Sequence, residues 1–210
     1  MLGTLAARYD RVFPVFIRHG LAWESAELQC LRRFLRAVGS SPAWRRHPRG
    51  RIQALTVLHL PVRDLYGKHW SVTGRGVPAA DSPDEAVYLP GRNLLLLSQA
   101  ALFCVQRGIH TIAVGSLQHN PFPDATPRFF RAFSAAASRA FQFRLRVVAP
   151  FRALTKTEVV RRGRALPLHL SFCCLAPVAG RHCGRCNKCA ERRHAFAAAG
   201  LADRTRYDRA

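Results

Sequence analysis

Residues 92–115, RNLLLLSQAALFCVQRGIHTIAVG, decide the fold class of this chain. The first part is strongly apolar, has the length of a helix and stops at Gly108, a residue that favours the end of a helix. The second part, IHTIAVG, is rich in β-branched residues and ends in glycine, as a short buried strand does. A helix followed directly by a buried strand predicts an α/β domain.

The alternation continues toward the C-terminus. The predicted elements are a helix, a strand and a helix, at residues 127–141, 143–150 and 157–166. Thr126 and Pro127 provide an N-cap and a first-turn proline for the first of these helices. Thr155 and Glu158 have the spacing of a capping box before the second. Each of the two helices therefore has its own start signal.

The N-terminal half has the same elements in a less regular order. Apolar strands are predicted at residues 11–17 and 52–60, and an amphipathic helix at 22–38 with Gly39 as its stop. Residues 61–90 are rich in Gly, Pro, Asp and Ser, which predicts a long loop. Alternating strands and helices predict an open parallel sheet with helices on both faces.

The composition indicates the class of protein but does not identify a ligand. The 210 residues carry a formal net charge of +21, with 33 Lys and Arg against 12 Asp and Glu. The arginines are dispersed along the chain, as GC-rich codon usage would produce, although such a charge also attracts tRNA and other polyanions. The sequence contains no span of about twenty apolar residues and no signal-peptide pattern, so we expect a cytoplasmic protein without a membrane partner.

The segment CCLAPVAGRHCGRCNKC, residues 173–189, has the spacing of metal ligands. Cys183, Cys186 and Cys189 supply three thiolates on one tight turn, and Cys173 or Cys174 can supply the fourth. Four thiolates fill a tetrahedral zinc site and leave no position for water, which predicts one structural zinc ion.

Other interpretations of the cysteines remain open. An iron–sulfur cluster also uses four cysteines, so the spacing alone does not exclude it. Disulfides do not explain Cys183, Cys186 and Cys189, because three cysteines this close together cannot all pair. Buried free thiols rarely occur as CxxCxxC in a loop rich in Gly and Arg. Zinc is the preferred interpretation.

Several segments together resemble the 7-cyano-7-deazaguanine synthase family of queuosine biosynthesis. The cysteine segment followed by ERRHAFAAAGLADRTRYD is similar to the family's C-terminus, and VFPVFIRHGLAWESAEL is similar to its second strand and the following helix. The segments YLPGRNLLLLSQAAL, IAVGSLQHNPFPDATPRFFRAF and APFRALTKTEVVRRG extend the resemblance over most of the chain. At the cysteine segment, Cys174 occupies the family's ligand position.

The resemblance implies the fold of PP-loop ATP pyrophosphatases, whose Ser-Gly-Gly-x-Asp-Ser loop after the first strand holds the phosphates of ATP. These 210 residues do not contain that loop. We therefore expect an N-terminally truncated chain in which the first strand and the loop are missing. Residues 1–169 would form the incomplete PP-loop ATPase domain, and residues 170–210 the zinc-binding segment and helix.

The implied activity is that of an ATP-dependent C–N ligase. The carboxylate of 7-carboxy-7-deazaguanine is activated by ATP, ammonia attacks to give an amide, and a second activation removes water to give the nitrile, preQ0. Nucleic acid is not required for this reaction. The resemblance also implies the homodimer usual in the family. Because the phosphate loop is absent, the chain as it stands is expected to be inactive.

The resemblance also assigns residues near the nucleotide. Lys156 matches a family lysine that could neutralise phosphate charge, although a first-turn surface lysine would look the same. Arg92 and Asn93 match a dipeptide beside the nucleotide site, where helix capping is the alternative. Asp124 matches a segment that could touch substrate or metal, but it could equally be a turn residue before the Thr126 cap.

Four further residues give weaker signals, and two rival functions remain. His19 and Trp23 follow a strand end, where ligands collect in open α/β sheets, whereas His69 and His119 have no partner that the sequence identifies.

One rival to the deazaguanine function is another PP-loop ATPase acting on tRNA. The other is a non-enzymatic zinc module that binds nucleic acid through arginine.

Overall fold

The computed structural model describes residues 1–40 and 52–208. Its helices, numbered α1 to α8 in chain order, are Leu2–Ala6, Glu24–Ser40, Arg63–Tyr66, Trp70–Thr73, Arg92–Val105, Pro127–Phe141, Lys156–Arg162 and Asn187–Ala199. The strands β1 to β4 are Val15–Arg18, Thr56–His59, Thr111–Ala113 and Arg146–Val148. Short 3₁₀ turns occupy Asp84–Val87, Pro123–Ala125 and Leu168–Leu170. No helix in these described ranges is long and apolar enough to cross a membrane.

The chain divides into two compact units. The smaller, here called the central unit, is formed by residues 88–155 together with Met1. The larger, here called the cysteine unit, is formed by residues 2–87 and 156–210. The predicted division at residues 169 and 170 stays a prediction.

The central unit is a parallel strand pair, β3 and β4, with helices α5 and α6. Thr111 pairs with Arg146, and the register continues to Ala113 and Val148. Two serine hydroxyls of α6 accept hydrogen bonds from the β4 segment, Ser134 from the Val147 N–H (2.9 Å) and Ser138 from the Leu145 N–H (2.9 Å). These bonds satisfy backbone groups on the side of β4 that does not face β3.

The cysteine unit contains the other parallel pair, in which Val15 of β1 lies opposite Thr56 of β2. Its main helices are α2 and α8. The apolar face of α2 follows the predicted helical spacing and buries Ala26, Leu28 and Val38. Helix α8 contains Cys189 of the candidate metal centre and begins directly after Cys186, its N-cap residue.

The α/β class and the parallel strands are confirmed, and the sheet differs from the expectation. The described strands form two separate two-stranded sheets, one in each unit, where we predicted one open sheet. Only two of the fourteen strand residues, Ile17 and Ile112, are buried. Each pair is therefore less completely covered than parallel strands within a large sheet.

Three local predictions are also corrected. The predicted loop at residues 61–90 contains α3 and α4, because His69 caps α4 by accepting a hydrogen bond from the Ser71 N–H (3.3 Å). Gly39 does not stop α2, which continues to Ser40. The helix predicted at 157–166 is Lys156–Arg162, and its end is followed by Gly163. Helices as short as α3 and α4 leave no long periodic pattern in the sequence, which explains why they were not predicted.

Candidate metal centre

Four cysteine thiols converge in the cysteine unit. The residues are Cys174, Cys183, Cys186 and Cys189, all of them buried, and their Sγ atoms lie within 4.8 Å of one another. A tetrahedral zinc ion with Zn–S bonds near 2.3 Å would hold its sulfur ligands about 3.8 Å apart. The Sγ atoms of Cys174 and Cys186 are 4.0 Å apart. The cluster could therefore hold a metal ion such as zinc.

A tight turn brings Cys183 back to Cys174. The chain reverses at Ala179 and Gly180, whose φ angles are +47° and +76°. Positive φ at both central residues is the geometry of a two-residue hairpin turn, and the residues on either side of this turn form an antiparallel bridge. The turn thus places the first two thiols of the cluster side by side.

The other two thiols lie at the start of a helix. Cys186 is the N-cap residue of α8, and Cys189 lies in its first turn. The N-terminus of a helix carries a partial positive charge, which favours thiolate over thiol. The helix therefore supplies both the spacing and part of the charge compensation.

Backbone N–H groups point at three of the sulfur atoms. Cys174 Sγ accepts from the Cys183 N–H (3.2 Å), and Cys183 Sγ accepts from the Arg185 N–H (3.4 Å). Cys186 Sγ accepts from the Leu175 N–H (3.5 Å). Such hydrogen bonds stabilise negative charge on sulfur and orient the ligands. The loop is thus organised around charged sulfur.

The thiols also share protons with one another. Hydrogen bonds from the Cys174 and Cys189 thiols lower the pKa of Cys186. The same hydrogen bonds, together with burial, raise the pKa of Cys174 and of Cys189. A bound cation would take the place of the protons that the thiols share.

Cys173 lies outside this cluster although it adjoins Cys174. Its Sγ atom donates to the Lys188 carbonyl oxygen (3.2 Å), and its N–H donates to His182 Nε2 (3.3 Å). Burial raises the pKa of the Cys173 thiol to about 11. The structure brings Cys174 to the other three thiols, and the role of the four as metal ligands stays a prediction.

Part of the predicted loop at 61–90 packs against the cluster. The Asn187 N–H donates to the Pro78 carbonyl (3.1 Å), and Asn187 Nδ2 donates to the Ser82 carbonyl (2.6 Å). Ala79 forms an antiparallel bridge with Cys186. This segment therefore covers the start of α8.

A chain of ion pairs borders the cluster and includes Lys156. Lys156 is the first residue of α7 and forms an ion pair with Glu191 of α8. Lys188 pairs with the same carboxylate at 2.9 Å and with Asp84 at 3.1 Å. Burial alone would lower the pKa of Lys188, but its hydrogen bonds to Glu191 and Asp84 raise it overall. The structure thus places Lys156 beside α8, and its catalytic role stays a prediction.

Asn93 and Asp124 meet in the central unit. The buried Asp124 carboxylate accepts one hydrogen bond from the Asn93 N–H (2.9 Å) and one from Asn93 Nδ2 (3.1 Å). Because Asn93 is the second residue of α5, Asp124 caps that helix from outside. Arg92 precedes it as the first residue of the helix. The structure therefore joins the motif predicted to adjoin the nucleotide to the motif predicted to touch substrate or metal, and both roles stay predictions.

The four weaker candidates have different surroundings. His19 is only 1% exposed, and Trp23 is buried and stacks on Trp70 with ring centroids 5.7 Å apart. His69 caps α4, and its Nδ1 atom lies 2.8 Å from the Ser71 hydroxyl. His119 is exposed. His19, Trp23 and His69 thus contact other residues of the cysteine unit.

Two buried charged residues were not predicted. Glu24 accepts hydrogen bonds from the N–H groups of His19 (2.5 Å) and Gly20 (2.9 Å). Arg192 donates to the Thr205 hydroxyl (2.9 Å), to Ser171 (2.9 Å) and to a backbone carbonyl. The signal for Arg192 was its position three residues after Cys189, on the same face of a helix. Because the chain has 33 Lys and Arg residues, this position did not distinguish Arg192 from the others.

Comparisons with known proteins agree with the motif-based resemblance. A family model described as "Queuosine biosynthesis protein QueC" matches residues 2–200. The 7-cyano-7-deazaguanine synthase of Thiobacillus denitrificans is 34% identical over 166 residues, which cover 73% of this chain and 73% of that protein.

Two further relatives carry the same name. The one from Cupriavidus necator is 30% identical over 222 residues and covers 100% of this chain and 92% of its own length. The one from an Anaeromyxobacter species is 38% identical over 138 residues, with 61% of this chain and 58% of that protein covered. The predicted family is thus confirmed: the chain belongs to the QueC family of queuosine biosynthesis proteins.

Proposed function

We propose that this protein is an ATP-dependent ligase that converts 7-carboxy-7-deazaguanine and ammonia to 7-cyano-7-deazaguanine. The observation that carries the proposal is the family match over residues 2–200, which includes the four-cysteine cluster, the Asn93 region and the Lys156 region. Relatives in this range are named for the nitrile product. This favours the deazaguanine reaction over a tRNA-modifying ATPase or a non-enzymatic zinc module.

The chemistry requires two activations of one carbon. A carboxylate oxygen leaves poorly until phosphoryl or adenylyl transfer from ATP converts it to a leaving group. Ammonia then forms the C–N bond and the phosphorylated oxygen departs, which gives the amide. Activation of the amide oxygen and loss of two protons from nitrogen give the nitrile. The protein's task is to bind phosphate and orient the deazaguanine carboxylate.

Zinc is proposed as a structural ion. Cys174, Cys183, Cys186 and Cys189 would fill its four positions, so the metal would supply no open site for substrate. Its binding would fix the turn at Ala179 and the start of α8. Four reduced thiols also suit a reducing compartment, and we propose the cytoplasm.

Lys156 is proposed to neutralise phosphate charge. It begins α7, and its ion pair with Glu191 is partly open to solvent, with 35% of the Lys156 side chain exposed. An incoming phosphate could therefore compete with Glu191 for the ammonium group. Lys156→Arg keeps the charge and Lys156→Ala removes it, so a phosphate role predicts much better activity in the first variant than in the second.

Asp124, Asn93 and Arg92 are proposed to act as a unit at the start of α5. Asp124 holds Asn93 through two hydrogen bonds, and Arg92 directly precedes Asn93 in the helix. A direct contact of Asp124 with substrate or metal would require it to release one of these bonds. We therefore propose that Asp124 positions the helix start and that Arg92 and Asn93 face the nucleotide.

ATP binding also requires a phosphate loop that the 210 residues do not contain. Preorganised backbone donors of such a loop are worth several kcal/mol of transition-state stabilisation, about 3–4 kcal/mol for one donor. We propose that the 210-residue form is inactive alone and that a form extended by a strand and a Ser-Gly-Gly-x-Asp-Ser loop is active. The homodimer of the family stays a prediction.

The test is a comparison of the two forms with 7-carboxy-7-deazaguanine, ammonia and ATP. Nitrile formation is followed by mass spectrometry. Turnover by the extended form and none by the 210-residue form would support the proposal. Robust turnover by the short form would overturn the requirement for the loop. Inactivity of both forms would favour a rival function.

A further inference from the structure

The central unit carries an extreme charge imbalance. Residues 88–155 contain eight arginines, no lysine and a single acidic residue, Asp124. Asp124 is buried, and both of its oxygens accept hydrogen bonds from Asn93. The central unit therefore presents arginine to solvent without an exposed carboxylate to neutralise it.

Some of these cations line a groove at the amino ends of β3 and β4. The groove has a volume of about 390 Å³ and is lined by His110, Thr111, Arg144 and Arg146. It is bounded by the two loops that enter the strands. Dispersed arginines alone would not produce such a shared concave surface.

The two loops are tied together by polar contacts. His110 Nδ1 lies 2.8 Å from the Arg144 carbonyl oxygen, and the Arg146 N–H donates to the His110 carbonyl (3.0 Å). Arg146 Nε donates to the Thr111 hydroxyl (3.0 Å). Hydrogen bonds at Nε leave the terminal nitrogens of the Arg146 guanidinium available to a ligand. These hydrogen bonds therefore hold together the two loops that border the groove.

The cation at Arg144 is also available. Arg144 is exposed, and its guanidinium has no polar partner within residues 1–40 and 52–208. Arg144 and Arg146 are two residues apart at the entry to β4, so their side chains project to the same side of the strand. Two guanidinium groups on one side can engage consecutive phosphates.

The groove also offers an aromatic surface. The His110 ring stacks on Phe143, with centroids 4.4 Å apart and an angle of 8° between the planes. His110 is exposed, so only one face of its ring is used by this stack. Arginines beside an open aromatic face are the combination that binds single-stranded nucleic acid.

We propose that this groove binds single-stranded nucleic acid through its phosphodiester backbone, with one base stacked on His110. A groove of this volume holds more than one phosphate group, and two of its four lining residues are arginines. The inference does not rest on the proposed ligase activity, because binding is measured without turnover.

The test measures binding of a fluorescein-labelled 20-residue oligouridylate by anisotropy, with the full 210-residue chain. The test variant is Arg144→Ala/Arg146→Ala. Its matched control is Arg128→Ala/Arg131→Ala, which removes the same charge from two exposed arginines of α6 in the same unit. The single variant Arg144→Ala removes no hydrogen bond within the described residues and guards against an effect on folding.

We expect the groove variant to raise Kd at least tenfold and the control variant to raise it less than threefold. Log K falls as log salt rises, and loss of two phosphate contacts should make this slope less steep by about 1.4, at about 0.7 per contact for single strands. Arg144→Ala alone should raise Kd about threefold.

Three results would overturn the proposal. Equal weakening by the groove and control variants would show that only net charge matters. Stronger binding of vesicles with anionic lipid than of oligouridylate would assign the surface to a membrane. Full displacement of oligouridylate by an equal phosphate concentration of inorganic phosphate would show a site for a small anion. Competition by oligothymidylate tells whether the groove accepts DNA as well as RNA, and effective competition supports backbone recognition.

Discussion

Asp124 and Asn93 are joined by two hydrogen bonds, one to the backbone N–H and one to the side-chain amide of Asn93. They lie 31 residues apart in sequence, and both belong to segments that resemble the family. The buried carboxylate occupies the start of α5, where a helix has N–H groups without intrahelical partners. The link therefore sets the position of the helix start.

Asp124→Ala should reduce the free energy of unfolding by about 1–3 kcal/mol, because it leaves the partly buried Asn93 N–H and side-chain amide without their partner. Chemical denaturation followed by circular dichroism measures the change. Asp81→Ala, at an exposed turn position, is the control and should stay within about 0.5 kcal/mol of wild type. Equal stabilities of the two variants would argue against a capping role for Asp124.

Ala179→Gly should stabilise the protein by about 0.5–1 kcal/mol, because alanine carries a steric cost at its φ of +47° that glycine lacks. The control, Ala136→Gly, replaces an exposed residue inside α6 and should destabilise by about 0.5–1 kcal/mol. Thermal melts of the two variants should therefore shift in opposite directions. A lower melting temperature for Ala179→Gly would contradict the turn geometry.

Tyr207 should ionise above the ordinary range of tyrosine. Burial raises the pKa of Tyr207, and so does the hydrogen bond that its hydroxyl donates to Asp203 (2.6 Å). A raised folded-state pKa means that the protonated form favours folding. This contribution is complete below the unfolded value of about 10 and is lost as pH rises through the folded value.

Ultraviolet titration of phenolate absorbance tests this assignment. Tyr207→Phe should remove a late step of the titration, and it should make stability less sensitive to pH above about 10. An unchanged late step in Tyr207→Phe would show that another group produces it. Asp203→Asn should move the step to lower pH, because the carboxylate that favours the protonated phenol is gone.

Removal of metal should loosen one part of the chain first. If the cluster binds zinc, its binding energy is part of the folding energy of the surrounding segment. A strong chelator should speed amide hydrogen exchange in residues 170–196 before it does so in residues 88–155, which form a separate compact unit. Faster exchange in 88–155 with 170–196 still protected would contradict this.

The sequence predicted what depends on local spacing. The cysteines are recognisable because metal ligation needs fixed intervals on a tight turn. The cap at Thr126 is recognisable because it depends on a few neighbouring residues, and the structure has its hydroxyl accepting from the Phe129 N–H (3.1 Å). Both predictions needed no knowledge of distant parts of the chain.

Features that depend on tertiary contacts were missed. Nothing local reveals that Asp124 would reach Asn93 or that Arg192 would be buried among Thr205, Ser171 and a carbonyl. Gly39 looked like a helix stop, but a glycine inside a helix is tolerated when the flanking turns are satisfied. The division into two strand pairs likewise depends on contacts between segments far apart in sequence.

The central claim is that Cys174, Cys183, Cys186 and Cys189 hold one structural zinc ion, and metal analysis of purified protein tests it most directly. Elemental mass spectrometry should find about one zinc per chain. Cys174→Ser should lower the zinc content sharply, whereas Cys173→Ser, whose sulfur lies outside the cluster, should retain most of it. Full zinc retention in a Cys183→Ser/Cys186→Ser double variant, or iron with acid-labile sulfide in place of zinc, would contradict the account.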